Sequence, residues 1–277
     1  MEVLDTSEAM TAWAAARRGR VRVGLVPTMG FLHAGHASLL DLLRPRCEAL
    51  VVSIYVNPLQ FGAGEDLDRY PRDLEGDLAL CAAHGADAVF TPASLYPPGH
   101  ATRVRVEGLT EGLCGASRPV HFEGVTTVVA RLFGLVGCDV AAFGEKDFQQ
   151  LQVLRRMTAD LALPVEIVGG PIVRDADGLA LSSRNAYLDP AQRARALSLS
   201  RALRALQDAV VAGEHDVAAL TALGRGLLDV DALDYLEVVD PQTLRPVARV
   251  DGEARALVAA SLGATRLIDN VALAAAP

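Results

Sequence analysis

This sequence of 277 residues is most informative at first through what it lacks. It has only four cysteines, widely spaced and without a Cys-x-x-Cys pair, which argues against a zinc ribbon and a dithiol redox motif. Acidic residues outnumber basic ones by 34 to 26, and no basic stripe indicates a nucleic-acid partner. The longest apolar candidate, 125–138, contains Arg131 and is too short to span a bilayer. The acidic N-terminus also lacks the regions of a signal peptide. These absences predict a cytoplasmic protein with buried thiols, without membrane or nucleic-acid contact.

The first part of the chain alternates apolar runs with segments of helical periodicity. Strands are predicted at 21–26, 49–56, 86–90, 140–143 and 165–167, and helices near 35–45, 73–84, 125–136 and 147–162. This alternation indicates βαβ units and a parallel sheet. Ligands of such sheets bind outside the carboxyl ends of the strands, so we expect a site at that edge.

The pattern changes after residue 173. A charged, turn-rich segment at 174–178 is followed by a helix over 190–211, for which Asp189 suits the N-cap and Pro190 the first helical position. A second helix is predicted at 217–228, and strands at 235–239, 256–260 and 266–269. Helices followed by a run of strands predict a smaller α+β domain, so we divide the chain into domains 1–173 and 174–277.

The stretch from Pro27 to His36 contains two histidines three residues apart, where the first long strand turns into a helix. Side chains at this spacing share a helix face, and the N–H groups of a helix start favour phosphate. Two imidazoles add donors for charge that develops on a phosphate, so the turn predicts nucleotide chemistry. A pair of ordinary surface or core histidines is the alternative. A zinc site is less favoured, because no third ligand stands at a suitable spacing.

Further segments must be considered with this turn. They are Asn57-Pro58-Leu59-Gln60-Phe61, Arg118-Pro119-Val120-His121-Phe122, Gly144-Glu145-Lys146-Asp147 and Ser182-Ser183-Arg184-Asn185. In this order they resemble the pantothenate synthetase family, the pantoate–β-alanine ligases of the His-x-Gly-His nucleotidyltransferase superfamily. The resemblance extends from Pro27 to about Asn270. Its departures are small or apolar replacements that remove no charged or amide side chain: Leu59, Val120, Phe148 and Leu181.

The resemblance implies a fold and a reaction. The fold would be a Rossmann-like domain that binds nucleotide and pantoate, followed by a smaller α+β lid domain. The enzyme would be an AMP-forming acid–amino-acid ligase that condenses (R)-pantoate with β-alanine to pantothenate, in pantothenate and coenzyme A biosynthesis. Pantoate would first attack the α-phosphorus of ATP and expel pyrophosphate. The β-alanine amine would then displace AMP from the pantoyl adenylate. Magnesium with ATP and a homodimer are implied as well.

The resemblance also implies roles for individual residues. His33, His36 and Lys146 would be catalytic, with His36 as a proton donor, a task that suits imidazole. Gln60 and Gln150 would bind pantoate together with Met29, because an amide both donates and accepts hydrogen bonds. Gln60 would also bind β-alanine. The implied ATP-binding residues are Met29, Gly30, His33, His36, Gly144, Lys146, Asp147, Val173, Leu181, Ser182, Ser183 and Arg184.

Several of these roles have alternatives from the residues alone. Asp77 would bind magnesium, although it could as easily be a solvated helix residue. Asp147 could cap a helix or accept hydrogen bonds from ribose. Two other functions also suit a histidine turn and a serine-rich loop. One is a different adenylyltransferase that releases a dinucleotide, which would not need the two glutamines. The other is a non-catalytic regulator that binds ATP without turnover.

Overall fold

The computed structural model describes residues 1–274 and divides the chain into two compact units. The first unit comprises Met1–Thr110, Arg118–Glu145 and Gln150–Pro171. The second comprises Glu111–Ser117, Lys146–Gln149 and the residues from Ile172 onward. Two short segments that the sequence places in the first domain therefore group with the second unit. The assignment of a nucleotide-binding domain and a lid to these units stays a prediction.

The first unit is built on a six-stranded parallel sheet. Its strands are β1 (Glu2–Leu4), β2 (Val23–Thr28), β3 (Ala49–Ile54), β4 (Ala88–Phe90), β5 (Val140–Gly144) and β6 (Glu166–Gly170). They follow the order β1-β4-β3-β2-β5-β6, so β2 lies between β3 and β5. The strand order reverses beside β2, which places a ligand crevice at its carboxyl end. The prediction of a parallel, Rossmann-like sheet is confirmed. The short edge strand β1 was not predicted.

The helices of this unit carry apolar faces onto the sheet. They are α1 (Ser7–Ala15), α2 (Ala34–Leu43), α3 (Leu74–Ala83) and α5 (His121–Val136). Helix α6 (Phe148–Asp160) begins in the second unit and continues in the first. Leu40 and Leu43 of α2 pack in one buried cluster with Leu50 and Val52 of β3. The almost unbroken apolar run of β3 is typical of a strand buried on both faces.

The second unit is a smaller α+β body. It contains α4 (Leu113–Ser117), α7 (Pro190–Val211), α8 (Val217–Leu227) and an antiparallel sheet of β7 (Ala232–Val239), β8 (Glu253–Leu262) and β9 (Thr265–Ala274). Asp189 caps α7 as expected, because its carboxylate accepts from the Gln192 amide at 2.8 Å and Gln192 bonds back to the Asp189 N–H at 3.1 Å. Leu199, Leu203 and Leu206 of α7 form the core with the sheet. The predicted fold class is therefore confirmed for this part too.

The predictions made from the few cysteines and from the absence of a long apolar run can be compared with the structure. All four cysteines are buried, and burial raises the pKa of Cys81 and of Cys138 to about 12. Both thiols are therefore protonated at neutral pH, as expected of buried cysteines. Among residues 1–274, no helix has both the length and the apolar character needed to cross a membrane.

Candidate active site

The histidine turn connects the carboxyl end of β2 to the start of α2. It needs two consecutive residues in the left-handed region, Gly30 (φ 87°) and Phe31 (φ 52°). His33 is the N-cap of α2, with extended backbone, and its Nδ1 accepts the Gly35 N–H at 3.1 Å. His36 stands in the first turn, and its Nδ1 accepts the His33 N–H at 3.2 Å. The expectation that both histidines share a helix face was wrong, since His33 precedes the helix. The two rings are nonetheless adjacent, with centroids 4.1 Å apart.

A buried carboxylate on α3 holds this turn in place. Asp77 is only 3 % exposed, and its two oxygens accept the N–H groups of Phe31 at 2.9 Å and Leu32 at 2.6 Å. Burial raises the pKa of Asp77 above its ordinary value, although these two hydrogen bonds oppose the shift. A methyl group at Gly30 would come within 3.0 Å of the Asp77 carboxylate and of Ile54. Glycine is therefore needed at position 30 both for its backbone angle and for space.

The Gln60 amide is positioned by buried neighbours after β3. Asn57 is 1 % exposed and donates from Nδ2 to Gln60 Oε1 at 3.0 Å and to the Gly124 carbonyl at 3.0 Å. Gln60 Nε2 lies 3.1 Å from the sulfur of Met29. The structure thus brings together two side chains that the sequence assigned to pantoate. It also fixes the orientation of the Gln60 amide, because the Asn57 Nδ2 group donates to its oxygen.

Helix α5 supports the segment that carries Gln60. At Gly124 its backbone lies so close to the Leu59 carbonyl that a Cβ atom would overlap with it. The Gln60 carbonyl accepts from His121 Nδ1 at 3.0 Å and from Arg118 at 3.3 Å. Arg118 is in turn held by Glu65 through two bonds of 2.7 and 2.6 Å. Burial raises the pKa of Glu65, but hydrogen bonding and the charge of Arg118 outweigh it and lower the pKa below its usual value.

A cleft of about 300 Å³ opens at the carboxyl ends of β2, β3 and β4. Its lining includes Met29 and Gly30 after β2, Tyr55 after β3, Thr91 after β4, and Arg72 and Asp77. Pockets at this edge of a parallel sheet are the usual ligand sites of α/β folds. The predicted site residues Met29 and Gly30 therefore face open space within the first unit.

Two adjacent glutamines that follow β5 differ in burial and in the unit to which they belong. Gln149 is 4 % exposed, and its amide bonds the Cys114 N–H and the Gly112 carbonyl at 2.9 Å each. Gln150 is less buried and belongs to the first unit. Gln149 is therefore a structural residue of the second unit, whereas Gln150 stays the predicted pantoate ligand. Gly144 has no atom within 4 Å of the position a Cβ would take, which leaves its backbone approachable.

Lys146 is the only lysine among the 26 basic residues of the chain. It lies in a short 3-10 helix, 145–147, directly before α6. Its carbonyl accepts from Asn270 of β9 at 2.9 Å, which fixes its backbone in the second unit. Its ammonium lies 4.0 Å from the Asp147 carboxylate. The other basic residues of the chain are arginines. The single lysine at the predicted phosphate site is therefore a sequence feature that points to a special role for Lys146, and it was not used to predict the site.

The serine loop of the second unit is also a defined structure. The Leu181 N–H donates to the Val173 carbonyl at 2.9 Å, so these two predicted ATP-binding residues are neighbours. Ser182 caps the short helix 183–187, and its hydroxyl accepts the Arg184 N–H at 3.3 Å. Ser183 is 7 % exposed. The strand pairing before the loop is anchored by Arg174, which binds the buried carboxylate of Asp269 at 2.6 and 2.9 Å.

These features define a class of protein. A helix N-terminus at the reversal point of a parallel sheet, with a cleft and an oriented amide beside it, is a common place for nucleotide phosphates in α/β proteins. The comparisons with known proteins identify the family. Residues 2–272 match the model of the pantoate-beta-alanine ligase family, and the chain belongs to that family.

The relatives cover essentially the whole chain. It is 52% identical to the pantothenate synthetase of Heliobacterium modesticaldum, over 98% of this chain and 99% of that protein. It is 55% identical to the pantothenate synthetase of Anaeromyxobacter dehalogenans, over 96% of this chain and 99% of that protein. The crystal structure of pantothenate synthetase from Thermus thermophilus superimposes with a TM-score of 0.93 at 49% identity, covering 98% and 99% of the two chains. The pantoate-beta-alanine ligase of Francisella tularensis, complexed with beta-gamma ATP and beta-alanine, matches at a TM-score of 0.81 and 29% identity, over 98% and 97%.

Sequence reasoning missed two groups that hold this site. Asn57 was noticed only as part of a motif, although an asparagine before proline after a strand is a common start of a side-chain-capped turn. The pair of Glu65 and Arg118 was not foreseen, because their separation in sequence gives no local signal. Asp77, which the resemblance assigns to magnesium, also holds the histidine turn through two hydrogen bonds, and its role toward a metal stays a prediction.

Proposed function

We propose that this chain catalyses the ATP-dependent condensation of (R)-pantoate with β-alanine through a pantoyl adenylate, with release of pyrophosphate and AMP. Membership of the family makes the chain an ATP-dependent ligase that forms pantothenate. The observation that carries the proposal is the match of residues 2–272. The geometry of the histidine turn and of Gln60 supports it.

The first unit offers donors for both reactants of the first step. The α2 N-terminus and its two imidazoles suit the charged phosphates of ATP. Gln60, fixed by Asn57, suits the hydroxyl and carboxylate groups of pantoate without adding negative charge. Neither half-reaction needs an enzyme nucleophile. Catalysis then consists of holding the carboxylate near the α-phosphorus and stabilising charge there.

The second unit would add the remaining phosphate contacts. We assign Lys146, Ser182, Ser183 and Arg184 to the ATP phosphates, with Val173 and Leu181 beside the nucleotide. A guanidinium and hydroxyl groups form strong hydrogen bonds to phosphate. The helix cap made by Ser182 and the anchor of Arg174 on Asp269 give this loop a defined shape. Closure of the unit as a lid over ATP is part of the proposal.

An ATP-using ligase of this family implies a divalent metal, and we propose magnesium that enters with ATP. Both oxygens of the buried Asp77 accept backbone N–H groups, so we assign this carboxylate to holding the turn rather than to the metal. Among the described residues, no group of three or more His, Cys, Asp or Glu side chains could hold a metal ion.

The direct test is AMP formation by the purified chain. AMP should appear only when ATP, pantoate and β-alanine are all present, in a ratio of one to pantothenate. A dinucleotide product would indicate the different adenylyltransferase, and ATP binding without AMP would indicate the regulator.

His36→Ala should reduce turnover about 10²- to 10³-fold, as loss of one preorganised donor does. His84→Ala, which removes a histidine that pairs with Asp41 at 2.7 Å, serves as the control and should be unaffected.

The single lysine allows a direct test of the second unit. Reductive methylation with labelled formaldehyde should mark only Lys146 and the N-terminal amine. ATP should protect Lys146, or shift its NMR signal, while the N-terminal signal stays unchanged. Equal behaviour of both amines would contradict the phosphate role of Lys146.

The homodimer stays a prediction, for which sedimentation should give twice the chain mass of 29.2 kDa.

A further inference from the structure

A chain of polar side chains leads from the loop after β4 to Gln60. The Tyr96 hydroxyl donates to Asn57 Oδ1 at 2.8 Å, and Asn57 Nδ2 donates to Gln60 Oε1 at 3.0 Å. The NH₂ group of Gln60 lies 3.1 Å from the Met29 sulfur. All four residues belong to the first unit. Tyr96 is therefore connected to the predicted pantoate ligand through Asn57.

Backbone groups around Asn57 fix the direction of every bond in this chain. The Leu59 N–H, which can only donate, faces Asn57 Oδ1 at 3.3 Å. The Gly124 carbonyl, which can only accept, faces Asn57 Nδ2 at 3.0 Å. The oxygen and the nitrogen of the Asn57 amide therefore cannot be exchanged. It follows that Tyr96 is the donor in its bond and that the Gln60 oxygen is the acceptor.

The Tyr96 hydroxyl is held in place as a neutral donor. Its ring packs edge-on against Tyr55, with centroids 6.2 Å apart, and lies 4.8 Å from the ring of His100. Burial raises the pKa of Tyr96 above its ordinary value, so the hydroxyl keeps its proton at neutral pH. Asn57 is only 1 % exposed, and bulk water does not compete for its oxygen.

The chain decides which end of the Gln60 amide is open to a ligand. Because Asn57 engages the oxygen, Gln60 offers its NH₂ group. The group's present partner, the thioether sulfur of Met29, is a weak acceptor. A carboxylate oxygen is a much stronger acceptor, because hydrogen bonds to ionised groups are roughly twice as strong as neutral ones. An amide turned the other way would direct its oxygen at an anionic substrate and repel it.

We propose that Tyr96 is a positioning residue for pantoate: through Asn57 it holds the Gln60 amide so that the NH₂ group, and not the oxygen, faces an oxygen atom of the substrate. This inference rests on the proposed function and on the role of Gln60 in it. Tyr96 acts without contact to the substrate. It stands 39 positions after Asn57, so no local sequence pattern connects the two residues.

The hydrogen-bond chain can be tested without substrates. Tyr96→Phe removes the hydroxyl and keeps the ring, so the packing around the ring is retained. We expect the side-chain ¹H–¹⁵N signals of Gln60 to shift in ¹⁵N-labelled Tyr96→Phe, because the amide that holds Gln60 has lost a donor. These signals are assigned by their absence from Gln60→Ala. Gln60 signals that stay at their wild-type positions would overturn the inference.

Pantoate affinity measures the consequence for binding. Calorimetry gives the pantoate Kd in the presence of α,β-methylene ATP, which cannot release pyrophosphate. Tyr96→Phe should weaken pantoate binding about 2- to 12-fold, as expected for one lost neutral hydrogen bond, and leave the affinity for the ATP analogue unchanged. Equal weakening of both ligands would overturn the inference, because it would show general damage to the fold.

Tyr235→Phe is the matched control. It makes the same chemical change in the second unit, where the Tyr235 hydroxyl lies 3.1 Å from the Cys114 sulfur. This side chain is as deeply buried as a core residue, at 7 % exposure, so its loss of a hydroxyl can lower the melting temperature. Its pantoate Kd should equal that of wild type. A pantoate Kd raised as much as in Tyr96→Phe would overturn the specific role of Tyr96.

A double-mutant cycle shows whether Tyr96 acts through Gln60. In Gln60→Ala there is no amide left to orient, so the further change Tyr96→Phe should alter the pantoate Kd by less than about twofold. Full additivity of the two substitutions would overturn the path through Gln60, even where Tyr96→Phe alone weakens pantoate binding.

The inference and the proposed function fail in different ways. If pantoate bound to the wild-type protein and no AMP formed from the three substrates, the proposed reaction would be wrong, and the cycle would still decide the role of Tyr96. If AMP formed and Tyr96→Phe bound pantoate as tightly as wild type, the reaction would hold and the present inference would fail.

Discussion

The Oδ1 atom of Asp77 accepts the backbone N–H of Leu32 at 2.6 Å, which ties the first turn of α3 to the loop that carries the two histidines. Its other oxygen accepts the Phe31 N–H at 2.9 Å. Phe31 has a positive φ of 52°, a backbone conformation that costs energy for a residue other than glycine. The carboxylate compensates this cost and sets the position of His33 and His36.

Replacement of Asp77 by asparagine tests this positioning role. The amide keeps one acceptor oxygen, but its NH₂ group faces a backbone N–H. We expect the rate of adenylate formation to fall about ten- to hundredfold, as misplaced catalytic groups do. The magnesium concentration that gives half the maximal rate should stay unchanged. Stopped-flow or quench-flow measurements over a magnesium series check both.

Glu75→Gln is the matched control, since Glu75 lies on the same helical turn and is exposed. It should behave as wild type. A large increase in the magnesium requirement of Asp77→Asn, with full activity at saturating metal, would show that Asp77 is a metal ligand after all.

Two glycines of α5 should respond oppositely to alanine. At Gly124 a Cβ overlaps with the Leu59 carbonyl, so Gly124→Ala should push away the segment with Gln60 and destabilise the protein by about 1–3 kcal/mol. The pantoate KM should rise more than the ATP KM. Gly134 has nothing within 4 Å, so Gly134→Ala should stabilise by up to about 1 kcal/mol. Chemical denaturation and steady-state kinetics of both variants check this, and equal behaviour would refute the close approach.

The ion pair of Glu65 and Arg118 predicts a pH dependence of stability. The pKa of Glu65 is lowered in the folded protein, so its contribution is fully present above the unfolded value of about 4.3 and is lost as pH falls through the folded value. Glu65→Gln should cost about 1.5–3 kcal/mol at neutral pH, the worth of hydrogen bonds to a charged group. The difference from wild type in free energy of unfolding should be constant above about pH 5 and shrink below about pH 4. A difference that does not change with pH would contradict the assignment.

Substitutions at the adjacent Gln149 and Gln150 should have different effects, one on the stability of the protein and the other on pantoate binding. Gln150→Ala should raise the pantoate KM roughly 10- to 150-fold with little change for ATP, because a hydrogen bond to a charged group is lost. Gln149→Ala removes bonds to Cys114 and Gly112 and should lower the melting temperature. Pantoate KM changes of the same size in both variants would show that the structure assigns these side chains incorrectly.

Much of the fold follows from local patterns in the sequence. The cap of α7 by Asp189 and Pro190, the buried run of β3 and the strand-to-helix step around His33 are all encoded within a few residues. The fold class and the position of the site at the carboxyl end of β2 could therefore be predicted. The three-residue strand β1 could not, because its periodicity is too short to recognise.

The remaining features depend on contacts between distant residues. The bonds of Asp77 to Phe31 and Leu32, and of Arg118 to Glu65, join residues whose separation carries no sequence pattern. The inclusion of 111–117 and 146–149 in the second unit is likewise a property of packing.

The central claim is that the chain activates pantoate as an adenylate before the amine takes part. Isotope exchange between pyrophosphate and ATP measures this step alone. With pantoate and magnesium present and β-alanine absent, the account predicts exchange that requires pantoate and is reduced about 10²- to 10³-fold in His36→Ala. Exchange that strictly required β-alanine, while AMP and pantothenate still formed with all substrates present, would contradict the adenylate pathway.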